Sequence, residues 1–396
     1  MQRSLARRGC ALVVVFIFAT ACTASESPRP PKTHAESPSG PTPSASPPRS
    51  KSPVTRTHLA VIGLEVLSDS FAVATLGRCR VHPPIEICRP LLAVTDDLGH
   101  TWRDITPSGV PAGMHLGRAS FSDPEHGLVV GDDCAGGRSL FYRTSDGGRT
   151  WRRTSGIGAT CNAGAGVFPD VVAPDVVFLN HNEPTGASGE LFRSIDGGAT
   201  FSHSMQLPLE GGLVGFTSAD DGWFGGSEMG GSAARRTTDG GRTWLDVDLW
   251  VPPCCSKGIV SASPPSFFGM EGVLPVTVRG KGRWRIVFHT SADAGDSWHP
   301  AAIVRPPGPA PFANASTGIV APDTWWLASE NGAILSTVDG GTTWRLTQAP
   351  DGVRFAVVEP LDGERAWLLG YVAREPALFL TSDHGLAWRR IVPDAR

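Results

Sequence analysis

The sequence predicts an all-β fold: a single seven-bladed β-propeller of four-stranded antiparallel blades over residues 58–396, preceded by a disordered tether. Three observations carry this. The first is an eight-residue stretch that returns seven times: TDDLGHTW (95–102), TSDGGRTW (144–151), SIDGGATF (194–201), TTDGGRTW (237–244), SADAGDSW (291–298), TVDGGTTW (337–344) and TSDHGLAW (381–388). Its aspartates, Asp97, Asp146, Asp196, Asp239, Asp293, Asp339 and Asp383, are 49, 50, 43, 54, 46 and 44 residues apart. A period in the forties built from short strands is the mark of a propeller or a related array. The second is that each period carries the same succession of short apolar runs, while helical periodicity of useful length is absent. The third is a sharp change of composition near residue 57.

The elements follow in chain order. Arg3, Arg7 and Arg8 precede the apolar run Ala11–Ala21, which is short for a membrane span and reads as a signal peptide over 1–21. The string ATAC, ending at Cys22, resembles the lipobox of bacterial lipoproteins, which implies cleavage before Cys22 and acylation of its thiol. An ordinary secretory signal with an incidental cysteine is the alternative. Either way the mature chain is expected outside the cytoplasm, and under the lipobox reading it is anchored to the bacterial cell membrane. Residues 23–57 hold nine prolines and almost nothing apolar, too little to offset chain entropy, so 22–57 reads as a tether.

Within each period, a small-bounded apolar run such as GLVVG (127–131) or AWLLG (366–370) reads as a buried strand. A second run, such as SLFYRTS (139–145), leads into the eight-residue stretch. After it the chain alternates in the manner of a half-exposed strand, and a further run before the small-bounded one completes four. The repeated stretch itself is equipped to be a corner. Its Asp can accept backbone N–H bonds, the glycines supply positive φ, and Trp102, Trp151, Phe201, Trp244, Trp298, Trp344 and Trp388 offer a large apolar face where the fourth strand departs. Calcium is the alternative use of such a loop. One invariant carboxylate per copy falls short of the several oxygens that a hard cation wants, so no metal and no cofactor are expected.

These seven stretches resemble the S/T-x-D-x-G-x-T-W signature of the Asp-box, or BNR, repeat family. Its members include sialidases, sortilin-type receptors, some glucanases and the photosystem II assembly factor. The resemblance covers 95–388, and the count of seven is most similar to the assembly-factor branch. Leu98, Ala294 and His384 in place of the first glycine, Phe201 in place of Trp and Ala387 in place of Thr depart from the pattern.

In such a blade the corners lie between strands three and four, all on one rim. The variable loops between strands two and three, and the links between blades, decorate the opposite rim, where binding is expected. Cys10 leaves with the signal and Cys22 takes lipid, so six cysteines remain, and an oxidising compartment favours disulfides. Position predicts Cys79–Cys88 across one hairpin, Cys134–Cys161 between a loop and a link, and Cys254–Cys255 as the leftover vicinal pair. The sharper alternative for the last is a thiolate metal site. The same rim is expected to carry Asp132, Asp133 and Arg138, His181, Asn182 and Glu183, Glu228, Arg279, Lys281 and Arg283, and Tyr371, Arg374 and Glu375, either as solvated loops or as one ligand pocket.

A formal net charge of −3 leaves no basic footprint for nucleic acid. Two function classes remain. The resemblance to sialidases implies a tyrosine nucleophile with a carboxylate and an arginine cluster, for which Tyr371 with Glu375 is the candidate pair; the F/Y-R-I-P segment of those enzymes is missing, and the nearest string is WRIV (284–287). The resemblance to glucanases would employ Asp132 or Asp133 with Glu183. The other class is a monomeric, non-catalytic scaffold, anchored in the membrane by lipid, that binds a protein or glycan partner. That reading asks for less machinery and is the expectation.

Overall fold

The computed structural model describes residues 56–82, 85–111, 114–133, 138–154, 157, 166–182, 189–207, 212–229, 233–280, 283–305, 316–373 and 375–395. The signal peptide, Cys22 and the tether up to residue 55 lie outside them. The described residues form seven antiparallel sheets. Blade 1 is Arg56–Val66, Ala72–His82, Ile85–Thr95 and Arg103–Asp104, hydrogen-bonded in that order. The later blades span His115–Thr154, Gly166–Gln206, Leu213–Asp246, Ile259–Val304, Ser316–Gln348 and Val353–Ile391. The fold is the expected seven-bladed propeller.

Each first strand lies against the first strand or body of the next blade, so these strands surround a central channel. The second and third strands are buried over most of their middle residues, which is why several read as nearly continuous apolar runs such as Leu128–Val130 and Trp325–Ala328. The fourth strands are short and exposed, two residues long in blades 1 and 4.

The described residues form seven apolar cores, one between each pair of neighbouring blades. Phe178 of blade 3 stacks on Phe216 of blade 4 with centroids 3.5 Å apart, and Phe288 of blade 5 on Trp325 of blade 6 at 4.6 Å. Trp223 of blade 4 meets Phe267 and Trp298 of blade 5. This division explains how a chain too long for one ordinary core remains one folding unit. The ring closes between blades 7 and 1, each made from one end of the chain alone. There Trp367, Leu369, Leu378 and Ile391 pack on Val61, Leu64, Leu91 and Trp102, with the Trp102 and Trp367 rings edge to face at 6.3 Å.

One departure from regularity is not visible in the period. Residues Ser227–Met229 leave blade 4 and pair with Ser261–Ile259, the first strand of blade 5, which extends that sheet to six strands. That first strand is itself broken: Ile259–Ala262 and Ser266–Phe268 both pair with Glu271–Gly280, and Pro264 and Pro265, which lack a ladder donor, occupy the gap.

Candidate functional site

The seven corners are built alike. The buried Ser or Thr hydroxyl at the first position accepts the N–H of the second glycine, as in Gly148 N to Thr144 Oγ1 at 2.9 Å, and donates to the aspartate, Asp146 Oδ1 at 2.9 Å. That aspartate accepts the N–H and hydroxyl of the residue four places on, Thr150, at 2.8 and 2.6 Å. The same pattern recurs at Asp97, Asp196, Asp239, Asp293 and Asp339. Bonds of this kind stabilise the ionised carboxylate. The Thr150 hydroxyl and then its N–H hold Asp146 at about 2, and Asp97, Asp196, Asp239 and Asp339 are at about 2 as well. At Asp383 the residue four places on is Ala387, which offers its N–H at 2.9 Å and no hydroxyl. Leu98, Ala294 and His384, in place of the first glycine, take φ of 58°, 56° and 62°, the left-handed region in which a side chain is costly.

The corner rim is also where blades are bolted together. Arg143 of blade 2 donates to the Asp196 carbonyl of blade 3 at 3.5 Å, Arg193 of blade 3 lies 3.6 Å from Asp220 of blade 4, and Arg236 of blade 4 pairs with Asp296 of blade 5. Phe201 packs on Phe141 of the preceding blade, and Trp344 on Phe288. The turn thus engages its own carboxylate, and the rim around it serves assembly of the ring.

The opposite rim carries the loops. Asp132 and Asp133 end the second strand of blade 2, in register with Ser139 and Arg138. His181 sits on the second strand of blade 3, 3 % exposed, with Nδ1 3.3 Å from Glu190 Oε2; His203 Nε2 is 3.6 Å from the other oxygen of Glu190. Glu190 and His203 carried no motif in the sequence. Asn182 pairs with Gly166, and Glu183 lies outside the described residues, as do Lys281 and Arg374. Glu228 belongs to the strand that crosses to blade 5, and its Oε1 is 3.8 Å from Arg235. Arg279 and Arg283 flank the hairpin of blade 5, in register with Trp284 and Gly280. These residues are spread over several blades around the rim.

Tyr371 and Glu375 do not come together. Tyr371 is in register with Pro376 and Val372 with Glu375, so alternation along the strand sends Tyr371 and Glu375 to opposite faces of blade 7. Burial pushes the Tyr371 phenol up, away from what a nucleophile needs.

Of the cysteines, Cys79 and Cys88 are in register on strands two and three of blade 1 and are bridged. Cys134 and Cys161 lie outside the described residues. Cys254 and Cys255 are not bonded to one another, in contrast to the expected vicinal bridge: their sulfurs are 2.7 Å apart, beyond the length of about 2.05 Å for an S–S bond.

The channel carries acidic side chains that belong to no repeated motif. At equivalent positions of the first strands stand Glu65, Ser120, Asp170 and Glu359, and each of the first three reaches the next blade. Glu65 Oε1 accepts the Phe121 N–H at 2.9 Å, Ser120 Oγ the Val171 N–H at 3.0 Å, and Asp170 Oδ2 the Phe216 N–H at 2.8 Å. Burial pushes Glu65 and Glu359 up to about 8, against the attraction of Arg118, while Asp170 and Glu359 add repulsion at Glu65. The available signal was an acid interrupting otherwise apolar first strands, as in GLEV, FPDV and VVEP.

No family model and no curated protein matches the chain. Solved structures do. A structure described as YCF48 bound to D1 peptide is similar with a TM-score of 0.53 at 17 % identity, over 83 % of this chain and 92 % of that one. YCF48 from Cyanidioschyzon merolae is similar with a TM-score of 0.51 at 14 % identity, over 84 % and 98 %. A prolyl endopeptidase structure is similar with a TM-score of 0.52 at 12 % identity, over 84 % of this chain and 50 % of that one. At these identities the likeness is one of fold.

Proposed function

We propose that the chain is a non-catalytic binding propeller of the Asp-box kind, held at the bacterial envelope through lipidated Cys22, that docks a protein partner on the rim opposite the corners. The observation that carries the reading is correspondence over nearly the whole length of both chains with a propeller solved with a peptide bound. The division of labour between rims supports it: corner carboxylates are engaged by their own turns, leaving the loop rim for a partner. Sialidase-like hydrolysis is disfavoured by the placement of Tyr371 and Glu375 on opposite faces.

The test is crosslinking of the full-length, detergent-extracted protein in its own envelope, followed by identification of what is captured. One protein, captured saturably and lost when Glu228 or Arg279 is reversed in charge, is the expected result. Turnover of a fluorogenic sialoside that disappears in Tyr371→Phe or Glu375→Gln would overturn it, and capture of glycan alone would replace the partner class. Separately, Cys22→Ala should release the chain from the membrane fraction or leave its precursor uncleaved; a normally processed chain that is fully retained would remove the anchor.

A further inference from the structure

The link between blades 4 and 5 carries two adjacent cysteines after Pro252 and Pro253. The turn is held by its own backbone: the Cys255 N–H donates to the Pro252 carbonyl at 2.9 Å, and the Gly258 N–H to the Cys255 carbonyl at 2.9 Å. It is wedged against the far end of the blade 5 hairpin, where a side chain on Gly280 would meet the Cys255 Cα at 2.9 Å and the Cys254 carbonyl oxygen at 3.0 Å. Within this frame the two sulfurs stand 2.7 Å apart. The two thiols differ in access, since Cys255 is 1 % exposed within an apolar core while Cys254 is partly open to solvent.

We propose that Cys254 and Cys255 form a reversible two-electron redox site that takes disulfides as its substrate class. The Cys254 thiolate attacks an incoming dialkyl disulfide, R–S–S–R, giving a mixed disulfide and releasing one thiol, RSH. The Cys255 sulfur then displaces the second thiol and closes an eight-membered ring. The sum is two protein thiols and one R–S–S–R giving one protein disulfide and two RSH; the two thiol protons leave on the two released thiols, and the protein supplies both electrons. Apposition of the sulfurs makes the second step intramolecular, and the exposure difference assigns attack to Cys254 and resolution to Cys255. The site is independent of any partner on the rim.

The full-length protein offers a direct readout, because cleavage after Arg242 and Lys257 yields one peptide, Thr243–Lys257, containing these two cysteines and no other. Native protein is equilibrated with glutathione at a series of oxidised-to-reduced ratios, quenched with acid, alkylated and analysed by mass spectrometry. The peptide is expected to pass reversibly from a doubly alkylated form to a closed form two hydrogens lighter than the dithiol. Cys255→Ser, or Cys255→Ala if the hydroxyl disturbs the core, should trap glutathione on Cys254; Cys254→Ser should lose that reactivity. Double alkylation at every ratio, a bridge that no ratio opens in the native protein, or equal trapping at both positions would each overturn the proposal.

Discussion

Replacing Glu65 by Gln should remove much of the pH dependence of stability between about pH 5 and 8. The amide keeps an oxygen to accept the Phe121 N–H but cannot ionise. With its folded pKa at about 8 against 4.5 in the unfolded chain, Glu65 keeps its proton in the fold over a window where the unfolded chain has lost it. Stability therefore falls as pH rises through that window, with the penalty complete once pH exceeds the folded value. Each pKa unit corresponds to about 1.4 kcal/mol, so an isolated, fully enclosed group would reach a ceiling of about 5 kcal/mol. The side chain is partly open to water in the channel, and Arg118 attracts it, so a difference of about 1–2 kcal/mol between pH 5 and 8 is expected for Glu65→Gln relative to the parent. Urea denaturation at half-unit pH steps measures it. A parent protein whose stability is flat or rises from pH 5 to 8, or a variant that retains the full slope, would refute the reasoning. Because Glu359 is shifted in the same direction, Glu65→Gln/Glu359→Gln should flatten the profile further.

Other outcomes follow from the corners and the seam. Ala387→Thr supplies the hydroxyl that Asp383 lacks and should raise stability by about 0.5–1 kcal/mol, read as a shift in urea midpoint. Ala294→Gly relieves a left-handed alanine and should be stabilising by up to about 1 kcal/mol in the same assay. Below pH 3.8 the corner aspartates, held near 2, must be protonated as the fold is lost, so stability should fall with further acidification and thermal midpoints should peak near pH 4–5. Trp367→Ala empties the core between blades 7 and 1 and should cost about 3–5 kcal/mol, more than the same change at the half-buried Trp151.

The corners were legible because every contact they make is local: hydroxyl, aspartate, glycine and ring lie within eight residues, and the left-handed positions of Leu98, Ala294 and His384 follow from alignment with glycine. Blade number followed from counting them. What escaped depends on register or on neighbours distant in the chain. The register that sets Val372 opposite Glu375 decides that Tyr371 and Glu375 face apart, and no composition pattern carries that parity. The channel carboxylates look like stray acids until equivalent positions of blades 1, 3 and 7 are brought onto one ring. The crossing of Ser227–Met229 into blade 5 rests on three residues with no periodic signature. His181 was legible as a rim residue, whereas its burial beside Glu190 required the third strand.

The direction of the first strand has a consequence for orientation. Arg56 starts that strand in register with Val81, beside the bridged hairpin, so the chain enters the disc from the loop rim and the corner rim lies at the far side. Under the proposed lipidation of Cys22, the tether would join the disc on the same rim that receives the partner. A guest docked there would share that rim with the leash, so shortening residues 23–55 should restrict access to it before it alters the fold.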